Sequence, residues 1–111
     1  MFNINKLISI AMEELGYLEK KSNYDLDSKT GNAGSNNFTK YWRDVVPSLQ
    51  GCYWCACFIS WIFMKAFGLE NAKKLLLHFP YISCQTAYEK FKAVGRCFTS
   101  PKVGDIVVFW N

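Results

Sequence analysis

The sequence predicts an α+β domain in which a helical N-terminal portion is followed by the start of an antiparallel sheet. Apolar residues recur at helical spacing over residues 4–15, and Cys55–Phe67 is apolar on nearly every side. Residues 106–110 are β-branched and aromatic, which is typical of a strand. Because one strand leaves its backbone groups unpaired, we expect residues 1–111 to form a single, incomplete domain.

The first helix is expected to bury one apolar face and to end at Gly16. A helix over residues 38–45 follows, with Thr39 as its cap. The central helix is Cys55–Phe67, ended by Gly68, and shorter helices are predicted over residues 70–77 and 85–94. The polar stretch 22–37 is long for a loop without structure, so we interpret it as functional or mobile.

Composition excludes several classes of protein. The chain has 111 residues, a net charge of +4 and 50% hydrophobic residues, which indicates a folded domain without the dense basic run of a nucleic-acid-binding arm. No apolar segment is long enough for a signal peptide or a membrane span, so synthesis in the cytoplasm and no membrane insertion are expected. Five cysteines without a signal peptide favour reduced thiols.

Cys55 is the candidate nucleophile because it begins the central helix. Unpaired N–H groups and the positive end of the helix dipole stabilise a thiolate there. The same N–H groups can hold an oxyanion during acyl transfer. The alternative is an ordinary buried cysteine, which spacing alone favours.

Four segments in order resemble the CHAP amidase family, which belongs with the NlpC/P60 enzymes to the papain-like class. They are residues 14–22, 32–41, 54–61, which include Trp54-Cys55, and 104–109, which begin Gly104-Asp105-Ile106. The most similar proteins in this respect are CHAP domains of phage endolysins and prophage lysis proteins of Gram-positive bacteria. The resemblance extends from the first helix to the last residue.

The resemblance implies a papain-like CHAP fold and a cysteine amidase or endopeptidase that cuts peptidoglycan. From the residues themselves we expect no cofactor and no metal. Cys55 matches the nucleophile, which would form a thioester acyl-enzyme. Trp54 matches the neighbouring aromatic residue, and with Tyr53 and Tyr41 it is expected to line the substrate groove. Asp105, with Gly104, is expected to hold a turn. The partner would be the bacterial cell wall, reached on release from the cell, and not nucleic acid.

The family's catalytic histidine opens the strand after this last motif, and residues 1–111 contain no such position. We therefore expect the base downstream of this sequence or in a second polypeptide. The alternative is a non-catalytic, truncated module that binds wall fragments or assembles with a partner. A free edge of residues 106–110 also predicts a possible homodimer.

His78, the single histidine, follows a helix and is expected to be structural, with a role as surrogate base the less favoured alternative. Cys52-x-x-Cys55 has the spacing of a zinc knuckle that Cys57, His78, Cys84 or Cys97 would complete, but no second paired knuckle exists. Cys52 and Cys57 are otherwise interpreted as packing residues. Residues 25–31 only weakly resemble a calcium loop, since Lys29 stands at a ligand position.

Overall fold

Five α-helices and one 3-10 helix make up the regular structure of the described residues. The computed structural model describes residues 2–100, 102 and 105–107. The elements are α1 (Ile4–Glu13), α2 (Lys40–Val45), a 3-10 helix (Pro47–Leu49), α3 (Cys55–Phe67), α4 (Leu69–Leu76) and α5 (Cys84–Ala93). No helix in this part of the chain is long and apolar enough to cross a membrane.

The predicted α+β class, and with it the sheet of a papain-like CHAP fold, is wrong for the described residues. They are mostly helical, and their β-pairing is limited to isolated bridges from Lys20 to Ala33 and to Phe38. Ile106 and Val107 belong to no strand, and residues 108–110 lie outside the described part. A strand needs a neighbour that accepts and donates its backbone hydrogen bonds, and strand propensity alone does not supply one.

Local sequence explains where α1 and α2 begin. The Asn3 side chain accepts a hydrogen bond from the N–H of Asn5 at 2.8 Å and caps α1. Thr39 is fully buried, and its hydroxyl accepts from the N–H of Trp42 at 3.1 Å, which caps α2 as predicted.

The apolar helix α3 lies at the centre and packs against α1, α2, α4 and α5. It contributes to two hydrophobic clusters. The larger cluster joins α1, α2 and α3 through Leu7, Tyr17, Tyr41, Trp42, Cys57, Trp61, Ile62 and Ala66. The smaller cluster comprises Ala56, Leu76 and Tyr81, with Ile106 packed against it. The all-round hydrophobicity of α3 is therefore explained by partners on several sides.

The polar segment between α1 and α2 is held by hydrogen bonds rather than left open. Lys20 N–H donates to the Phe38 carbonyl at 2.8 Å, and Phe38 N–H returns a bond to the Lys20 carbonyl at 3.2 Å. The side chain of Lys20 is fully buried, with its Nζ 3.2 Å from the Lys29 carbonyl oxygen and 4.7 Å from the Tyr17 ring centroid. The segment thus packs as a compact loop against the helices.

Candidate functional site

Cys55 is the first residue of α3 and opens into a cavity of about 210 Å³. Its thiol is free and exposed. The cavity is mostly apolar, and its lining residues are Cys55, Ala56, Ile59, Tyr81, Cys84, Ala87, Ile106 and Val107. The Cys55 thiol therefore lies at the edge of a partly open, mostly apolar cavity.

The N-terminus of α3 gives this cavity hydrogen-bond donors. The N–H of Phe58 bonds to the Trp54 carbonyl at 2.8 Å, and the three N–H groups before it precede the helical ladder. Trp54 caps the helix without a side-chain hydrogen bond. Donors at a helix start suit a thiolate or an oxyanion.

A second thiol faces the same cavity. Cys84 is the first residue of α5, and its Sγ lies 3.3 Å from the Sγ of Cys55. Burial raises the pKa of the Cys84 thiol, and the adjacent Cys55 sulfur, which can accept its S–H, raises it further. The sequence interpretation named Cys84 only as a zinc ligand. Its place at the start of a predicted helix, like that of Cys55, was the available signal.

The expected groove residues differ in their surroundings. Tyr53 is 83% exposed, whereas Tyr41 is 1% exposed, with its ring centroid 5.4 Å from that of Trp54. Trp54 is half-buried and lines a second cavity of about 240 Å³ rather than the Cys55 cavity. Trp54 and Tyr41 line that second cavity together with Ala11, Glu14, Leu15, Gly16, Tyr17 and Phe58.

The carboxylate of Glu14 lines the second cavity and binds two neighbouring side chains. Glu14 Oε1 accepts from the Tyr41 hydroxyl at 2.7 Å and lies 2.8 Å from Lys40 Nζ. Burial and the bond to Glu14 both raise the pKa of Tyr41, which keeps this phenol neutral. Tyr41 is therefore a neutral side chain held in place by Glu14, and its ring packs against that of Trp54.

Neither His78 nor Asp105, the other residues singled out in the sequence, lines the Cys55 cavity. His78 is exposed and does not line the Cys55 cavity; its ring centroid is 5.3 Å from that of Tyr81. Asp105 Oδ2 accepts from the N–H of Lys102 at 2.7 Å, the contact expected of a turn residue, and Gly104 lies outside the described residues.

The two remaining cysteines of the Cys52–Cys57 stretch have opposite environments. Cys57 is fully buried, which confirms its interpretation as a packing residue, and burial raises the pKa of its thiol to about 12. Cys52 is exposed, so the same interpretation is wrong for it. The chain turns at residues 51–52 before α3 begins, which leaves Cys52 outside the core.

Neither metal interpretation gains a ligand set from the described part of the chain. It contains no group of three or more histidine, cysteine, aspartate or glutamate side chains placed to hold an ion. In the weak calcium-loop match, Asp27 Oδ1 lies 2.8 Å from Arg43 Nη2, so an arginine occupies the oxygen that a cation would need.

Comparison with known proteins adds no assignment. No family model matches this chain, and neither the curated proteins nor the solved structures contain a match.

Proposed function

We propose that this chain carries the nucleophile of a cysteine amidase or endopeptidase that acts on peptidoglycan. The observation that supports it is the free, exposed Cys55 at the N-terminus of α3, which lines a partly open cavity. In this role the Cys55 thiolate attacks a peptide carbonyl, the amine leaves with a proton, and water hydrolyses the thioester. The substrate class comes from the resemblance to CHAP amidases stated above.

The reaction requires a proton donor for the leaving amine. Among the described residues that line the Cys55 cavity there is no imidazole and no carboxylate. We propose that the base comes from outside residues 1–111, either further along a longer chain or from a partner. It would approach beside Ile106 and Val107, since the resemblance puts the histidine after this segment.

A different observation, the aromatic side chain of Trp54 at the second cavity, favours a second candidate, a non-catalytic module that binds wall fragments. The aromatic wall at Trp54 and the second cavity offer flat surfaces for sugar rings or peptides without any need for a base. This candidate predicts binding to peptidoglycan that survives loss of the Cys55 thiol.

The deciding experiment is mass spectrometry of purified Gram-positive peptidoglycan after incubation with the protein supplied with its base, as the longer chain or together with the partner that contains it. Residues 1–111 alone should release no fragments, because no base lines the Cys55 cavity among the described residues. With the base supplied, we expect new stem-peptide or cross-bridge fragments, and we expect Cys55→Ala to abolish them because the acyl-enzyme cannot form. Cys52→Ala is the matched control, since it removes an exposed thiol outside the cavity and should leave the fragments unchanged.

Two further arms make the result decisive. His78→Ala should cleave like the wild type; loss of cleavage equal to that of Cys55→Ala would identify His78 as the base. If the folded wild type releases no fragments even when the base is supplied, but sediments with peptidoglycan, and Cys55→Ala sediments equally, the binding module replaces the hydrolase.

A further inference from the structure

We propose that Cys55 and Cys84 form an oxidative modification site, a dithiol that peroxide converts reversibly to a disulfide. Their sulfur atoms lie 3.3 Å apart although the residues are 29 positions apart in the chain. A disulfide bond is about 2.05 Å long, so a small movement of two side chains would suffice.

The other three cysteines have no such arrangement in the described structure. Cys57 is fully buried, and Cys97 directs its Sγ toward the Tyr88 carbonyl at 3.7 Å. Cys52 is exposed but is not among the residues that line the cavity. Only the Cys55 and Cys84 thiols are both exposed and in contact with each other.

Two helix N-termini converge on this pair. Cys55 begins α3 and Cys84 begins α5, so each residue stands at a helix N-terminus with unpaired N–H groups. Burial raises the pKa of the Cys84 thiol, which suits it to the role of the resolving thiol. An exposed thiolate at a helix start is the state that peroxides oxidise. The neighbouring thiol is then in position to resolve the oxidised sulfur.

The chemistry uses a hydroperoxide such as hydrogen peroxide as the two-electron oxidant. One thiolate attacks a peroxide oxygen, the O–O bond breaks, and a sulfenic acid forms with release of hydroxide. The second thiol attacks the sulfenic sulfur, the S–S bond forms, and the sulfenic oxygen leaves as water. In total two thiols and one hydrogen peroxide give one disulfide and two waters; a dithiol reductant reverses the step by exchange.

The site would exist whether or not the protein is a hydrolase. The regulatory consequence rests on the proposed function. If Cys55 is the nucleophile, the disulfide removes its thiolate and switches off acyl transfer. Cys84 would then protect Cys55 from irreversible oxidation, because disulfide formation competes with oxidation to the sulfinic acid.

The test follows thiols by mass, independently of any substrate. The reduced full chain is treated with hydrogen peroxide, then unfolded in urea and alkylated with N-ethylmaleimide so that the buried Cys57 also reacts, and digested without reductant. We expect the intact mass to fall by two hydrogens before alkylation, three of the five cysteines to take up maleimide, and tryptic peptides 44–65 and 75–90 to be linked. Dithiothreitol should restore five reactive thiols.

Variants assign the bridge. Cys84→Ser and Cys55→Ser should lose it completely, and Cys84→Ser should leave Cys55 to gain oxygen atoms instead. Cys52→Ser and Cys97→Ser, which also remove exposed thiols, should bridge as the wild type does. Circular dichroism checks that each variant is folded. The peptide map of the wild-type protein tests the bridge without any substitution.

The proposal is overturned if peroxide-treated, folded wild type keeps Cys84 fully alkylated, or if the bridge persists in Cys84→Ser. Because these readouts are masses, a protein that forms the bridge but cleaves no peptidoglycan would retain this proposal and lose the hydrolase.

Discussion

The carboxylate of Asp44 links Arg43 in α2 to Trp61 in α3 through hydrogen bonds. Its carboxylate accepts from Trp61 Nε1 at 2.9 Å and from Arg43 Nε at 2.9 Å. Burial by itself would raise the pKa of Asp44, but the hydrogen bonds from Arg43 and Trp61 outweigh it and hold the pKa below 3.8. A carboxyl group with a depressed pKa stabilises the fold only while it is ionised.

Asp44→Asn should therefore destabilise the protein in a pH-dependent way. We expect a loss of about 1–3 kcal/mol at neutral pH, because charge-assisted hydrogen bonds become neutral ones. The wild-type advantage is present above the ordinary carboxyl pKa of 3.8 and disappears as pH falls through the lower folded value. Urea denaturation at a series of pH values measures this difference.

Asp27→Asn is the matched control, since Asp27 pairs with the same Arg43 from a side chain that is 79% exposed. Exposed pairs contribute little, so its effect should be much smaller. A gap between Asp44→Asn and wild type that is equally large at neutral and acidic pH would contradict the assignment.

At the residue level, sequence reasoning identified what depends on local position. Cys55 at a helix start and Cys57 inside an apolar helix follow from the pattern alone. The contact between Cys55 and Cys84 does not, because it depends on how the segment after α4 returns to α3. The burial of Tyr41 likewise depends on packing against Trp54 and Trp61.

At the scale of single elements, the contribution of the buried Thr39 cap to the stability of α2 can be tested by one substitution. Thr39→Ala removes the hydroxyl that accepts from Trp42 N–H, and Gln50 remains bound to the Thr39 backbone at 2.9 and 2.7 Å. We expect a loss of about 1–2 kcal/mol in the free energy of unfolding. Thermal and urea denaturation measure it.

Thr30→Ala serves as the control for this cap, because Thr30 is exposed in the loop between α1 and α2. The same change there should alter stability by less than about 0.5 kcal/mol. Equal effects at the two positions would mean that the Thr39 hydroxyl does not cap the helix.

Helix positions were largely predictable from the sequence. α3 has its predicted bounds, and α2, α4 and α5 begin or end within one or two residues of theirs. Local signals suffice there, because caps, glycine stops and apolar periodicity lie within each segment. The predicted strand and sheet are not formed by the described residues, since strand pairing depends on partners that a local sequence pattern does not supply.

Over the whole molecule, α3 organises both hydrophobic clusters and positions the thiol pair. The homodimer through residues 106–110 stays a prediction, because most of that segment lies outside the described residues. Light scattering over a range of concentrations measures it.

Two buried hydrogen bonds hold the segment that returns the chain to α3. Ser60 is fully buried in α3, and its hydroxyl accepts from the N–H of Tyr81 at 2.9 Å. The Tyr81 hydroxyl in turn donates to the Leu76 carbonyl at the end of α4. These contacts fix the segment that leads into α5, and therefore the position of Cys84 opposite Cys55.

Ser60→Ala should weaken both the fold and the thiol pairing. It leaves a buried N–H without its acceptor, which costs about 1–3 kcal/mol. We also expect slower disulfide formation between Cys55 and Cys84 under peroxide, because Cys84 is no longer held at a fixed distance from Cys55. Urea denaturation measures the first effect, and time-resolved maleimide counting in the folded protein measures the second.

Ser83→Ala is the matched control, since Ser83 directly precedes α5 but makes no side-chain capping bond. It should leave stability and the rate of bridging close to wild type. If Ser60→Ala lowers stability while the bridge forms at the wild-type rate, the Ser60 bond stabilises the core without positioning Cys84. The proximity of the two thiols would then have to come from packing of α5 against α3, since those two helices are in direct contact.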